Sequence, residues 1–154
     1  MADQADLATL TRDLMPETRA VFSELRVLII TTLPDSSQKL SLARKRLNFS
    51  HPNVGYFCGL SPQDGRTTLE FEYGVLLPDP RGILQGNSCA KQVRYARFDS
   101  PDAPPLTALR GLLLAAVSLP RERSTRIELV RSGAKLVLPT RTRQKRRRSN
   151  PRAA

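Results

Sequence analysis

Apolar residues recur at helical spacing over residues 13–32, where Leu14, Val21, Phe22, Leu25, Leu28 and Ile29 fall on one stripe. This spacing predicts an amphipathic helix. Pro16 suits its first turn, where a missing N–H removes no bond, and Glu17 suits the positive end of the dipole. Pro34 and Asp35 close it. The dozen residues before it are ambiguous, because Leu7, Leu10 and Leu14 either extend the helix or belong to a short preceding turn.

After residue 35 the period changes from 3.6 to two. Residues 39–49 alternate weakly, and 54–60 alternate better, with Val54, Tyr56, Cys58 and Leu60 on one face. Residues 67–73 are the clearest strand: Leu69, Phe71 and Tyr73 point one way, Thr68, Glu70 and Glu72 the other. Residues 92–98 predict a fourth strand, and Gln63-Asp64-Gly65 a hairpin turn between the second and third. Between the last two strands lies a Gly- and Pro-rich loop, 74–91, in which Asp79-Pro80-Arg81-Gly82 matches a type I turn. Loops longer than about 12–15 residues are usually functional or mobile. A second helix is predicted over 100–119, capped by Ser100 or Asp102, burying Leu106, Leu109, Leu112, Leu113, Ala116 and Val117, and stopped by Pro120. Residues 126–138 predict a weak hairpin around Ser132-Gly133, with Ile127, Leu129, Leu136 and Leu138 as its apolar positions. No internal repeat is visible.

The order helix, strands, helix predicts an α+β fold, an antiparallel sheet of four to five strands with two helices packed on one face. The expected organisation is an N-terminal extension (1–12), the α+β domain (13–120), a hairpin or linker (121–139) and a disordered basic tail (140–154). At 154 residues one such domain fills the chain. The longest apolar run, Leu112 to Val117, is far short of the roughly 20 residues that span a bilayer, so no membrane span is expected. Asp3 and Asp6 with no apolar run behind them argue against a secretory signal, and the expected location is cytoplasmic. Two cysteines, Cys58 and Cys89, are too few for a disulfide framework.

Charge changes this picture. The formal charge of +11 is segregated: residues 1–120 hold thirteen Lys and Arg against twelve Asp and Glu, whereas residues 121–154 hold twelve against two. Arg141, Arg143, Lys145, Arg146, Arg147, Arg148 and Arg152 have almost no apolar partner, and such density keeps a chain solvated. Seven cations match about 5–7 phosphates, with log K falling against log salt at about −0.9 per phosphate. With no aromatic residue for base stacking, little sequence preference is expected. Nucleic acid is the expected partner of the tail; anionic lipid or an acidic protein are the others, beside a solubilising tail with no partner.

The stretches Asn53-Val54-Gly55-Tyr56-Phe57, Leu69-Glu70-Phe71-Glu72-Tyr73-Gly74, Leu77 through Gly86 and Val93-Arg94-Tyr95 carry a resemblance. Gly74, Leu77, Pro78, Asp79, Pro80, Gly82, Leu84, Gly86 and Arg94 match an element of the YdhG-like family, small bacterial domains mostly without assigned function. The chain resembles that family over residues 12–120. The resemblance implies an α+β fold similar in shape to frataxin and brings in an alternative function, a frataxin-like iron-binding protein or iron chaperone, with iron as its cofactor. Frataxin-type iron binding uses clustered acids on a helix. The first helix here carries Glu17, Arg19, Glu24 and Arg26, which cancel, so the metal alternative falls on Glu70, Glu72 and Asp79.

Other chemistry is sparse. Glu70 and Glu72 form either a carboxylate pair or a solvated sheet face paired with Arg94 or Arg44. His51, the single histidine, lies in a turn-like stretch and is either a ligand or a turn residue. Cys58 is expected to be a buried hydrophobe and Cys89 an exposed loop thiol. No nucleophile motif or Gly-Lys-Ser/Thr phosphate loop is present. The expected function is therefore a non-enzymatic binding module without a cofactor, recognising a small ligand or a protein. Its sheet and the 74–86 loop supply the recognition surface, with Asp79, Arg81 and Arg94 as polar contacts.

Overall fold

The computed structural model describes residues 4–86, 91–99 and 103–136. Helices α1 (Gln4–Thr11) and α2 (Pro16–Thr32) precede five strands, β1 (Ser37–Ser41), β2 (Arg46–His51), β3 (Gly55–Gln63), β4 (Arg66–Phe71) and β5 (Arg94–Asp99). A 3-10 turn, Gly74–Leu76, leads into the long loop, and helices α3 (Leu106–Val117) and α4 (Arg123–Ser132) follow. The strands form one antiparallel meander in the order β1-β2-β3-β4-β5. The fold is α+β, with α2 against β3 and β4, and α3 beside α2.

Register explains the core. One row of side chains, Leu40, Leu47, Leu60, Leu69 and Ala96, crosses all five strands, and the next runs Gln38, Phe49, Cys58, Phe71 and Arg94. Against these rows α2 buries Val21, Phe22, Leu25, Leu28 and Ile29, and α3 buries Leu109, Leu112 and Leu113. Each such side chain contributes about 1.5–3 kcal/mol when fully buried, which makes these two rows the main stabilising feature of the sheet.

Four local expectations change. Residues 39–49 are not one strand but the hairpin β1–β2, closed by a turn at 42–45 in which Lys45 takes a left-handed φ of 51°. No Gly or Asn marks that turn. In β3 the pairing jumps from Phe49↔Cys58 to Ser50↔Tyr56, which makes Phe57 a bulge residue. The bulge turns Tyr56 to the outer face, away from Cys58 and Leu60. Helix α3 starts at Leu106, behind Pro104 and Pro105, and the expected caps Ser100 and Asp102 lie outside the described residues. Residues 123–132 form helix α4 in place of a hairpin. Gly133, with φ 71°, is its left-handed C-terminal residue, and its N–H donates to Leu129 O and Val130 O. The Ser-Gly pair is thus a helix stop. Leu138 and the tail at 140–154 lie outside the described residues. The ambiguous N-terminal residues form a separate short helix, α1.

Candidate functional site

Two prolines and one carboxylate shape the loop after the 3-10 turn. Pro78 and Pro80 restrict φ. Asp79 folds its side chain back on the loop: Oδ1 accepts the Ile83 N–H at 2.9 Å and Oδ2 the Leu84 N–H at 2.7 Å. The Gly82 N–H donates to Asp79 O at 3.1 Å, with φ 63° at Gly82. The loop then returns to the sheet, where Gln85 and Tyr95 exchange backbone hydrogen bonds of 2.7 and 2.8 Å. Between this loop and α3 opens a cleft of about 220 Å³. Residues 78–81 and Ile83 form one wall, and Thr107, Ala108, Gly111 and Leu112 the other.

The three residues expected as ligand contacts separate here. Asp79 directs both carboxylate oxygens to the loop's own N–H groups. Arg81 stands exposed at the cleft. Arg94 is elsewhere: it ends a core-side row next to Phe71, and its Nη1 donates to Val93 O at 2.7 Å. Gly74 and Gly86 lie so close to it that a Cβ on either would collide with the arginine side chain. Gly74, Gly86 and Arg94, which the sequence element places far apart, are thus one packing unit.

The outer face of the sheet carries the row Lys39, Asn48, Gly59, Glu70 and Tyr95. Arg46 lies across it. Its Nη2 donates to Glu70 Oε1 at 2.9 Å and to the Tyr56 hydroxyl, and its Nε to Asn48 Oδ1 at 2.9 Å. Gly59 makes this possible, since a Cβ there would run into the guanidinium. Burial opposes the Arg46 charge, but the Tyr56 and Glu70 oxygens outweigh it and hold its pKa above the ordinary arginine value. Burial pushes the Tyr56 hydroxyl up to about 12, against the lowering pull of Arg46. Glu70 is therefore paired with Arg46, not with Arg44 or Arg94. Glu72 accepts from Gln92 Nε2 at 3.1 Å. With Asp79 bound to backbone, these three acids do not form one donor set. Among the described residues no three His, Cys, Asp or Glu side chains gather where they would hold a metal. The geometry does not fit iron at Glu70, Glu72 and Asp79.

His51 is not a turn residue but the last residue of β2, paired with Gly55, with Nδ1 accepting the Asn53 N–H at 3.1 Å and its ring edge-on to Phe57. Cys58 is fully buried, and burial pushes its thiol well above the usual range. Cys89 lies outside the described residues.

Sequence reasoning missed Arg126. It sits in α4, only 6 % exposed, with its guanidinium over the Tyr73 ring at 5.0 Å. Nη1 donates to Pro120 O at 2.8 Å and Arg121 O at 2.7 Å, and Nε is buried without a partner. A charged residue reads as exposed by default. The signal that points the other way is spacing: Arg126 lies three and four residues before Leu129 and Val130, on the half-buried side of α4. Beyond α4 the Leu136 N–H donates to Leu76 O at 2.7 Å. The basic segment is therefore rooted at both Arg126 and Leu136. The seven cations expected to meet nucleic acid, Arg141 to Arg152, lie outside the described residues. No helix among the described residues is long and apolar enough to cross a membrane. No family model, curated protein or solved structure matches the chain.

Proposed function

We propose that the chain is a non-enzymatic binding module of the YdhG-like family. Its C-terminal basic segment draws it to nucleic acid, and its domain carries a separate cleft for a ligand of its own. The observation that carries this reading is the segregation of charge onto a segment anchored to the domain. Residues 121–154 hold twelve of the 25 Lys and Arg. The root of that segment is pinned by the buried Arg126 and by the Leu136–Leu76 bond. A polyanion met by the segment would thus be tethered to the domain through Arg126 and Leu136. The cleft between the loop and α3 is already open, with walls shaped by bonds internal to the loop.

The test is binding of mixed-sequence RNA and DNA to the full chain and to a chain ending at residue 136, across a salt series. Five to seven phosphate contacts give a slope of log K against log salt of about −4.5 to −6.3 on duplex DNA and about −3.5 to −5 on a single strand. The full chain is expected to show that slope with little sequence preference, and the shortened chain to bind at least about a hundredfold more weakly at low salt. Equal binding by the two chains would move the nucleic-acid surface onto the domain. Absence of binding by both at moderate salt would remove nucleic acid as the partner.

A further inference from the structure

The cleft beside α3 has three features that together select a class of ligand. Its loop wall is fixed in advance, because Asp79 bonds to the Ile83 and Leu84 N–H groups without any ligand. A preformed wall avoids ordering losses on binding. On the helix wall, Gly111 stands inside α3, where glycine is disfavoured relative to alanine. No neighbour requires it: nothing lies within 4 Å of the place its Cβ would occupy. The space a side chain would fill there is open, on the side where Gly111 lines the cleft. At the mouth Arg81 has no ion-pair or hydrogen-bond partner among the described residues, whose two ion pairs, Arg46–Glu70 and Arg66–Asp99, lie elsewhere. Asp79, the acid of the lining, already shares its charge with two backbone N–H groups.

Size narrows the class further. An apolar cavity of about 150 Å³ takes one benzene, and drug-sized sites run from about 300 Å³ upward. The 220 Å³ here suits a single aromatic ring or branched aliphatic body with one polar group at the mouth. The free cation at that mouth calls for a negative charge.

We propose that this cleft binds a small monocarboxylic acid with a compact apolar body, an aromatic or branched aliphatic acid. The body lies between Ile83 and Leu112 over Gly111, and the carboxylate meets Arg81. This assignment rests on the proposal that the domain carries a ligand cleft, and gives that cleft its ligand class.

The test is a titration of the ¹⁵N-labelled full chain with phenylacetate and, separately, with uncharged phenylacetamide, followed at individual amides. The expected result is saturating shifts at Ile83, Thr107 and Gly111, with phenylacetate bound about fivefold more tightly than the amide, the weight of one exposed ion pair. Arg81→Gln is expected to erase that preference. Gly111→Leu is expected to keep the fold, since leucine is a better helix former and its Cβ has room, and to lose binding of both compounds. Equal affinity for the two compounds in the parent chain would overturn the carboxylate class and leave the cleft standing. Shifts from neither compound at these amides, or shifts confined to residues 137–154, would overturn both the class and the cleft.

Discussion

Residues 74–86 carry two charged side chains, Asp79 and Arg81, and the loop is tied to itself through the Asp79 carboxylate and to β5 by short backbone hydrogen bonds. Residues 121–154 carry twelve cations against two acids, and one buried arginine with two carbonyl bonds holds their root. The first region owes its shape to neutral N–H donors around a carboxylate, at distances salt hardly screens. On the proposed reading the second acts through its net charge, whose attraction salt screens within about 8 Å at physiological ionic strength. Ionic strength therefore separates the two regions: selection by the loop should survive it, and attraction by the segment should not.

The largest stability effect is expected at Asp79. Asp79→Ala leaves the Ile83 and Leu84 N–H groups without their acceptor and is expected to destabilise the fold by about 2–3 kcal/mol. Urea unfolding at low and high salt should give the same loss. A loss that vanishes in high salt would mean that the carboxylate acts through charge and not through its two hydrogen bonds.

Next comes the root of the basic segment. Arg126→Ala releases two carbonyls and opens a hole beside Tyr73, for a loss of about 1–3 kcal/mol. Hydrogen exchange is expected to speed up in α4 while β3 and β4 stay protected. Arg126→Met keeps the volume and removes a buried charge that has no anion partner, so it should retain most of the stability. If methionine is as damaging as alanine, the guanidinium bonds and not the packing hold α4.

A smaller effect is expected on the outer sheet face. Tyr56→Phe removes the bond to Arg46 at a cost of about 1 kcal/mol. Its pH dependence has a definite sign. The folded chain holds the Tyr56 proton up to about pH 12, above the ordinary 10, so the neutral phenol is the form the fold favours. That stabilisation is complete below pH 10 and is lost as pH climbs through 12. Unfolding free energies at pH 9 and 11 should fall more steeply in the parent than in Tyr56→Phe. Smallest is Gly111→Ala, expected to stabilise α3 by about 0.5–1 kcal/mol, read as a rise in Tm.

What was legible in the sequence was what depends on neighbours in sequence. The stripe from Val21 to Ile29, the alternation of Leu69 and Phe71 with Thr68 and Glu70, and the turn at Asp79 to Gly82 all follow from local periodicity or turn chemistry. Features set by distant contacts were not. The β1–β2 turn uses Lys45 in a left-handed conformation that its sequence does not advertise. The bulge at Phe57 reverses Tyr56, and only pairing with β2 reveals it. Ser132-Gly133 serves hairpins and helix ends equally well, and the half-buried Leu129 and Val130 decide between them. At the candidate site, Asp79, Arg81 and Arg94 were found as residues but not as separate roles. Gly111 and Arg126 stayed hidden, one because a helix glycine looks like a flaw, the other because an arginine looks exposed.

On the proposed reading the basic segment works through its charge while the loop works through its shape. The most direct test keeps the composition of residues 137–154 and permutes their order in the full chain, then measures the salt dependence of binding to mixed-sequence RNA. Action through charge predicts the parent slope, about −0.7 per phosphate contacted on a single strand, and an affinity within about twofold of the parent. A permuted chain that binds tenfold more weakly, or with a shallower slope, would contradict it by showing that the segment is read as a sequence.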